Sequence, residues 1–292
     1  MKRLLTLTRR NVQLYFIDAA NVFFSLLGAI IAVLIIVLFL KNTIVDSLVA
    51  DYHGLVVRST ANNLLNVWLV ASACVIASGT TGLGAMRQYV ADRETNRWRD
   101  FLVTPVSRWV LTLGYLLAAV TVSIIMTTAI FAVGTIVCIA SGATISVAHI
   151  FQTWGWLLLC SLSFTAFFGF LTSFLKTVGS FAALSTVIGV TFGFFAETYV
   201  QAGILTSNVT NVLNALPFAQ ASALVRGPYC ADMIAALPQT VRSGTLTFMG
   251  NTLTIGDHTV QVFVMVTVLA GMAVVFSILA WRVIATVVRR HA

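Results

Sequence analysis

The chain has 292 residues, of which 59% are hydrophobic and 9% charged, and its mean hydropathy is +0.97. Soluble proteins carry about 25% charged residues, so a soluble domain is excluded and most of the surface must face lipid. Seventeen Lys and Arg against nine acids give a net charge of +8, which in a membrane protein is first a topology signal and only then a hint of nucleic acid.

Residues 1–18 place Lys2, Arg3, Thr6, Arg9, Arg10 and Gln13 on one arc of a helical wheel, with Leu4, Leu5, Leu7, Val12, Leu14, Tyr15 and Phe16 on the remainder. This pattern predicts an amphipathic helix lying in the membrane interface. It serves either as a simple positive anchor or as a docking surface for a cytoplasmic partner.

A bilayer core of about 30 Å needs roughly 20 apolar helical residues. Six runs meet that need, at 19–40, 64–86, 109–140, 150–175, 178–200 and 259–281. No small-x-small cleavage site closes the first run, so it reads as a retained span and not a secretory signal. Thirteen of the cations fall at the N-terminus, in 87–108, at Lys176 and in the tail, and four in the alternate loops. Positive charge stays on the cytoplasmic side, so both termini are expected there. The Trp residues sit near span ends, Trp68, Trp154 and Trp156 outside and Trp109 and Trp281 inside, with Trp98 in the basic loop. All six read as headgroup anchors.

The 87–108 loop holds eight of the 26 charged residues. Mixed signs at helical spacing, interleaved with Trp98, Phe101 and Leu102, predict a short interfacial helix ending before Pro105. Such a segment suits either a solvated loop or a protein-docking surface. Within span five, Ser185, Gly189 and Gly193 recur every four residues, a spacing that permits close helix approach or lines a path. Glu197 is the acid of that run, either functional or reaching water from near the outer end. The outer loop 201–258 has an apolar first half, where 211–225 reads as re-entrant helices around Pro217. Its second half, 245–255, alternates around Gly250-Asn251 and reads as a hairpin.

None of the three lysines follows a glycine, so no phosphate-cradling P-loop is present. Cys74, Cys138 and Cys160 lie in apolar runs, and the Cys and His residues lack metal-ligand spacing, so neither a disulfide framework nor a metal site is expected.

The stretch Asp92-Arg-Glu-Thr-Asn-Arg-Trp-Arg-Asp-Phe-Leu-Val-Thr-Pro-Val-Ser-Arg108, followed by Leu113-Gly114-Tyr115, resembles the loop after span two in permeases of the type-two ABC exporters. The pattern there is acidic-x-Glu-x-Gly-Thr, then Leu-Leu-x-x-Pro-x-x-Arg, then Leu-x-Gly-Lys. Leu213-Asn-Ala-Leu-Pro217-Phe218 through Leu224-Val-Arg226 is similar to the Asn-Pro-Leu-Thr-Tyr and Leu-Arg segment before the family's last span. The chain departs from the pattern at Asn96-Arg97, at Tyr115 where Lys is common, and at Ala215-Leu216, which precede Pro217 in place of Asn. The basic N-terminus and six spans match in order, so the resemblance covers the whole chain.

The resemblance implies an all-α polytopic half-transporter. Two copies, or one copy and a paralogue, would form the pathway above two ABC ATPase subunits that hold the ATP and Mg, and this chain would hold no cofactor. A coupling helix over 92–102 would use Asp92, Glu94, Arg97, Arg99 and Asp100 for ion pairs and Trp98 and Phe101 for apolar contacts, with Arg9 and Arg10 alongside. Spans two and five would line the substrate route through Ser78, Thr81, Gly189, Phe192, Phe195 and Glu197. The 211–226 segment, with Pro217, Phe218 and Arg226, would close it from outside. The cargo would be a hydrophobic or amphiphilic drug, antibiotic or peptide crossing a bacterial plasma membrane. A lipid-linked glycan or haem exporter is the alternative, and a secondary transporter or an enzyme fits less well because the spans hold so few ionisable groups. No nucleic-acid partner is expected.

Overall fold

A computed structural model describes residues 2–51, 56–97, 107–256 and 258–290. It is 84% helix and 1% strand, with six helices long and apolar enough to cross a membrane. The chain begins with α1 (Lys2–Ile17), and Asp18 then caps α2 (Ala19–Ile35) by accepting from the Asn21 amide at 3.0 Å. A π-helical turn at Ile36–Leu40 leads into α3 (Lys41–Asp51), so the first span runs on to Asp46. The chain continues through α4 (Arg58–Ala85), α5 (Arg87–Glu94), α6 (Arg108–Ala140), α7 (Val147–Thr172) and α8 (Val178–Phe195). After α9 (Ser207–Ala215), α10 (Pro217–Ala235) and α11 (Gln239–Phe248), a two-strand hairpin precedes α12 (Val262–Arg290).

Helix α4 is the core of the bundle. Its most apolar window is 89% buried, against 22% for α8 and for α12, because every residue from Ala71 to Gly84 is covered by α2, α6, α7 or α10. Small side chains make that close packing possible. The α4 hydroxyls need partners in this apolar setting, and they find them in their own helix: Ser72 donates to Trp68 O at 2.7 Å and Thr81 to Ala77 O at 2.6 Å. Ser123 of α6 donates to Ser78 O at 2.6 Å and pins α6 to α4.

One end of the bundle, the basic end, carries α1, α5 and the α7–α8 turn, and there the rings of Trp109 and Trp281 meet at a 35° tilt with centres 4.1 Å apart. The far end carries α9 to α11 and the hairpin. Helix α1 buries Leu7, Asn11 and Tyr15, a stripe at four-residue spacing; it packs on α6, where Leu7 rests against Gly114, and the Tyr15 hydroxyl meets Ser25 of α2 at 2.6 Å. Leu5, Phe16 and Ile17 remain exposed on the opposite side, as an interfacial helix requires.

Three sequence expectations are corrected, and a fourth, the helix expected over 92–102, falls partly outside the described residues. Within them, α5 ends at Glu94 and Asn96 follows in a turn at φ +56°, a left-handed conformation that asparagine tolerates. Span five ends at Phe195, not 200, and Glu197 stands in the following turn at φ +51°. Residues 245–248 are the last turn of α11, where Val241 and Thr245 share one buried face at helical spacing; the strands are Thr254–Ile255 and His258–Thr259, paired across a turn begun by Gly256 at φ +60°. Trp68 is no headgroup anchor: it is fully buried, and its indole N–H donates to Met249 O at 2.7 Å.

Candidate functional site

At the basic end, α5 is tied to four neighbours. Asp92 is fully buried and accepts from Arg10 of α1 at 3.0 Å, from Tyr115 of α6 at 2.6 Å and from Gln88 at 2.7 Å, with Arg97 3.9 Å away. Burial alone would weaken the Arg10 charge, but Asp92 prevails and holds that pKa above its ordinary range. Arg87 pairs with Asp18 at 2.8 Å, next to the start of α2. Arg93 donates to Ser173 O and Leu175 O at 3.0 and 2.8 Å, and the Glu94 carboxylate accepts from the Val178 amide at 3.0 Å, capping α8. A carboxylate there is favoured by the helix dipole. A displacement of α5 therefore acts at once on α1, on the α2 entrance, on α6 and on the α8 entrance.

The helices anchored in this way wall a cleft of about 1020 Å³ between α2, α4 and α8. Asn21, Phe24 and Gly28 line it from α2, Thr80 and Leu83 from α4, and Phe181, Ser185 and Gly189 from α8, with Asp18 and Arg87 at its basic-end mouth. The two outer walls touch where Gly28 faces Gly189; a Cβ at Gly28 would lie 3.0 Å from Gly189 O. The small-residue stripe thus both packs and lines.

The far end is closed by two clusters. Phe192 and Phe195 of α8 meet Phe218 of α10 at 5.1 and 5.6 Å, and Phe164 of α7 stacks on Phe218 at 5.4 Å. Beside them, Arg226 of α10 is fully buried over the Trp68 ring of α4, 4.4 Å from its centre. Its Nε donates to Ser72 at 2.8 Å, and one terminal nitrogen donates to Ala196 O at 3.0 Å, Glu197 O at 3.3 Å and Thr198 Oγ1 at 3.0 Å. Arg226 thereby ties α10, α4 and the end of α8 together. The Glu197 carboxylate is 1% exposed and finds no hydrogen-bond partner among the described residues, so it does not reach water.

Of the residues expected along the substrate route, Gly189 lines the cleft. Ser78 and Thr81 are fully buried and are not among the residues lining it, whereas their neighbour Thr80 is. Phe192, Phe195 and Phe218 come together in the aromatic cluster, Pro217 begins α10, and Glu197 lies against Arg226 and Gly250. At the basic end, Asp92 and Arg10 face each other inside the fold and are not free for a partner, whereas Arg9 is exposed. Trp98, Arg99, Asp100 and Phe101 lie outside the described residues. Sequence reasoning missed Tyr115, Asp18, Arg87 and Trp68, although Asp18 just ahead of an apolar run is a helix-cap signal. No protein-family model matches the chain, and no curated protein matches it.

Proposed function

We propose that the chain is the membrane-spanning subunit of an ATP-driven ABC exporter, moving a hydrophobic or amphiphilic compound outward from the cytoplasm. The observation that carries this reading is the apolar cleft whose two outer walls, α2 and α8, are both fastened to α5 at one end. In this reading the basic end is cytoplasmic, as positive-inside retention requires. ATPase subunits, two per assembly and carrying the ATP and Mg, press on the segment after α5, and a second copy or a paralogue faces the open side of the cleft. The ion pair at the mouth suits a polar head, and the Phe and aliphatic walls suit its tail.

Two departures from the family pattern are conservative in their geometry, which supports the resemblance. Asn96 stands where Gly is usual, and its φ of +56° is one that both residues adopt. Tyr115 stands where Lys is common, and its hydroxyl reaches the buried Asp92, as an ammonium at that position would. The re-entrant reading of 211–226 also gains support. Asp232 near the end of α10 meets His149 in the first turn of α7, while Phe218 at the start of α10 meets Phe164, about 22 Å further along α7.

The test is purification of the chain from its native membranes, followed by ATPase assay of whatever accompanies it against a panel of amphiphiles. A copurified ATPase stimulated by a subset of the panel is expected. Recovery of no ATPase, together with vesicle transport that survives ATP depletion, would refute the proposal.

A further inference from the structure

A second groove lies on a different face, between α2, α4 and α6, and has a volume of about 600 Å³. Its walls are Leu26 and Val33 of α2, Val37 of the π-helical turn that follows, and Met126, Ile130 and Val133 of α6. Its floor is the closest approach of α6 to α4, where a Cβ at Gly134 would come within 2.5 Å of Val70. Every lining side chain is apolar except one, Asn66, at the far end. Leu34, Leu38, Ile136 and Val137 on its flanks are exposed, as side chains facing acyl chains are.

The dimensions match one leaflet. From Leu26 to Val37 the helix rises about 16 Å, close to half of a hydrocarbon core of about 30 Å. Lys41 lies about 33 Å along the helix from Ala19, which sets its ammonium at headgroup level in the far-end leaflet. That ammonium donates to Asn66 Oδ1 at 3.2 Å, directly over the groove. Lys41 forms no ion pair among the described residues, whereas Arg58 at the start of α4 is paired with Asp46 at 2.7 Å. Arg226 is buried, and Arg242 donates to Leu237 O and Ala235 O.

We propose that this groove is a binding site for an anionic phospholipid of the far-end leaflet, one acyl chain lying between α2 and α6 and the phosphate on Lys41 and Asn66. The apolar trough holds the chain, and the uncompensated ammonium selects the charge. The site stands apart from the cleft between α2, α4 and α8 and is independent of the transport reading.

The test is native mass spectrometry of the full chain with whatever copurifies, exchanged from detergent into mixtures of phosphatidylglycerol and phosphatidylcholine with identical acyl chains. The wild-type protein should retain one phosphatidylglycerol about fivefold over phosphatidylcholine, the preference expected of one lysine at a membrane surface. Lys41→Gln should abolish the preference and Lys41→Arg should keep it, which separates loss of charge from loss of fold. Ala129→Phe, which fills the trough at an exposed alanine, should lower retention of both lipids. Equal retention by the wild type, a preference that survives Lys41→Gln, or no effect of Ala129→Phe would each overturn the proposal. So would a disulfide between two copies through Val133→Cys, since the groove would then be a chain–chain interface.

Discussion

The guanidinium carbon of Arg226 sits over Trp68, 4.4 Å from the ring centre, while the same indole donates to Met249 O at 2.7 Å on its edge. Trp68 therefore links α4 to α10 through its face and to the segment after α11 through its N–H. A lysine at 226 keeps the charge but not the fork that reaches Ser72, Ala196 and Thr198 together. Arg226→Lys should cost about 3 kcal/mol, from lost charge-assisted bonds, and Trp68→Phe about 1 kcal/mol from one lost neutral bond. Chemical unfolding of the purified protein in micelles measures both. Equal losses would mean that the guanidinium fork is not what holds the far end.

Gly250 and Gly256 separate steric from conformational effects. Both have positive φ, +64° and +60°. A Cβ at 250 would lie 2.8 Å from Glu197 Oε2 and 3.4 Å from Arg226 Nη1, whereas a Cβ at 256 meets open space. Gly256→Ala should cost only the left-handed backbone term, about 1 kcal/mol. Gly250→Ala should cost at least about twice that, because the added carbon must push the buried carboxylate aside. Similar losses in unfolding free energy would show that the Glu197 side chain moves freely.

These far-end contacts show where sequence reasoning stops. The six spans were legible because a run of about 20 apolar residues has few alternatives in a bilayer, and α1 because its charges share one arc. Trp68 was misread because a Trp near a span end is the same letter whether it meets headgroups or the protein interior; only the return of Met249 over it makes it internal. Asp92 looked like a surface charge for the same reason, since its partners Arg10 and Tyr115 lie 82 and 23 residues away. Ser78 and Thr81 were assigned to a path by residue type, yet one-residue differences around α4 decide which side chain borders the cleft. The hairpin slipped because Val241 and Thr245 repeat at helical spacing just ahead of the alternating letters.

Tyr115 donates to a carboxylate that has no access to water, so its loss should be felt. Tyr115→Phe should destabilise the protein by about 2 kcal/mol, since Asp92 would keep Arg10 and Gln88 but lose its shortest bond. Tyr115→Lys should cost less, because an ammonium restores an ionic donor. The comparison reads out in thermal unfolding. A lysine variant no more stable than the phenylalanine one would mean that Tyr115 does not do the work of the lysine common at this position in the permeases the chain resembles.

The pair between Asp232 and His149 predicts a pH dependence. Desolvation is the largest single influence and acts to raise the Asp232 pKa, but His149 Nδ1 at 2.8 Å and the Ser146 amide at 2.6 Å together prevail and hold it below the ordinary value. A carboxyl that titrates lower when folded contributes stability that is complete above about pH 4 and is lost as the pH falls through the folded value. Asp232→Asn should therefore be less stable at pH 7 by less than about 1 kcal/mol, the pair being partly exposed. The difference should close below about pH 3. A gap that persists at pH 3 would assign the effect to the amide's geometry and not to charge.

The cleft between α2 and α8 can be tested by asking what protects it. The native cysteines are all buried, so a single new thiol is the one that a membrane-permeant maleimide reaches first. Thr186 lines the cleft and is exposed, while Val274 of α12 is 60% exposed and is not among the residues lining the cleft. If the cleft holds the transported amphiphile, a compound that stimulates the accompanying ATPase should slow labelling of Thr186→Cys about tenfold when present at about ten times its Kd. Labelling of Val274→Cys should be unchanged. An equal slowing at both positions would mean that the amphiphile merely perturbs the bilayer, and no slowing at Thr186→Cys would place the route elsewhere, leaving the Asp18–Arg87 mouth without a guest.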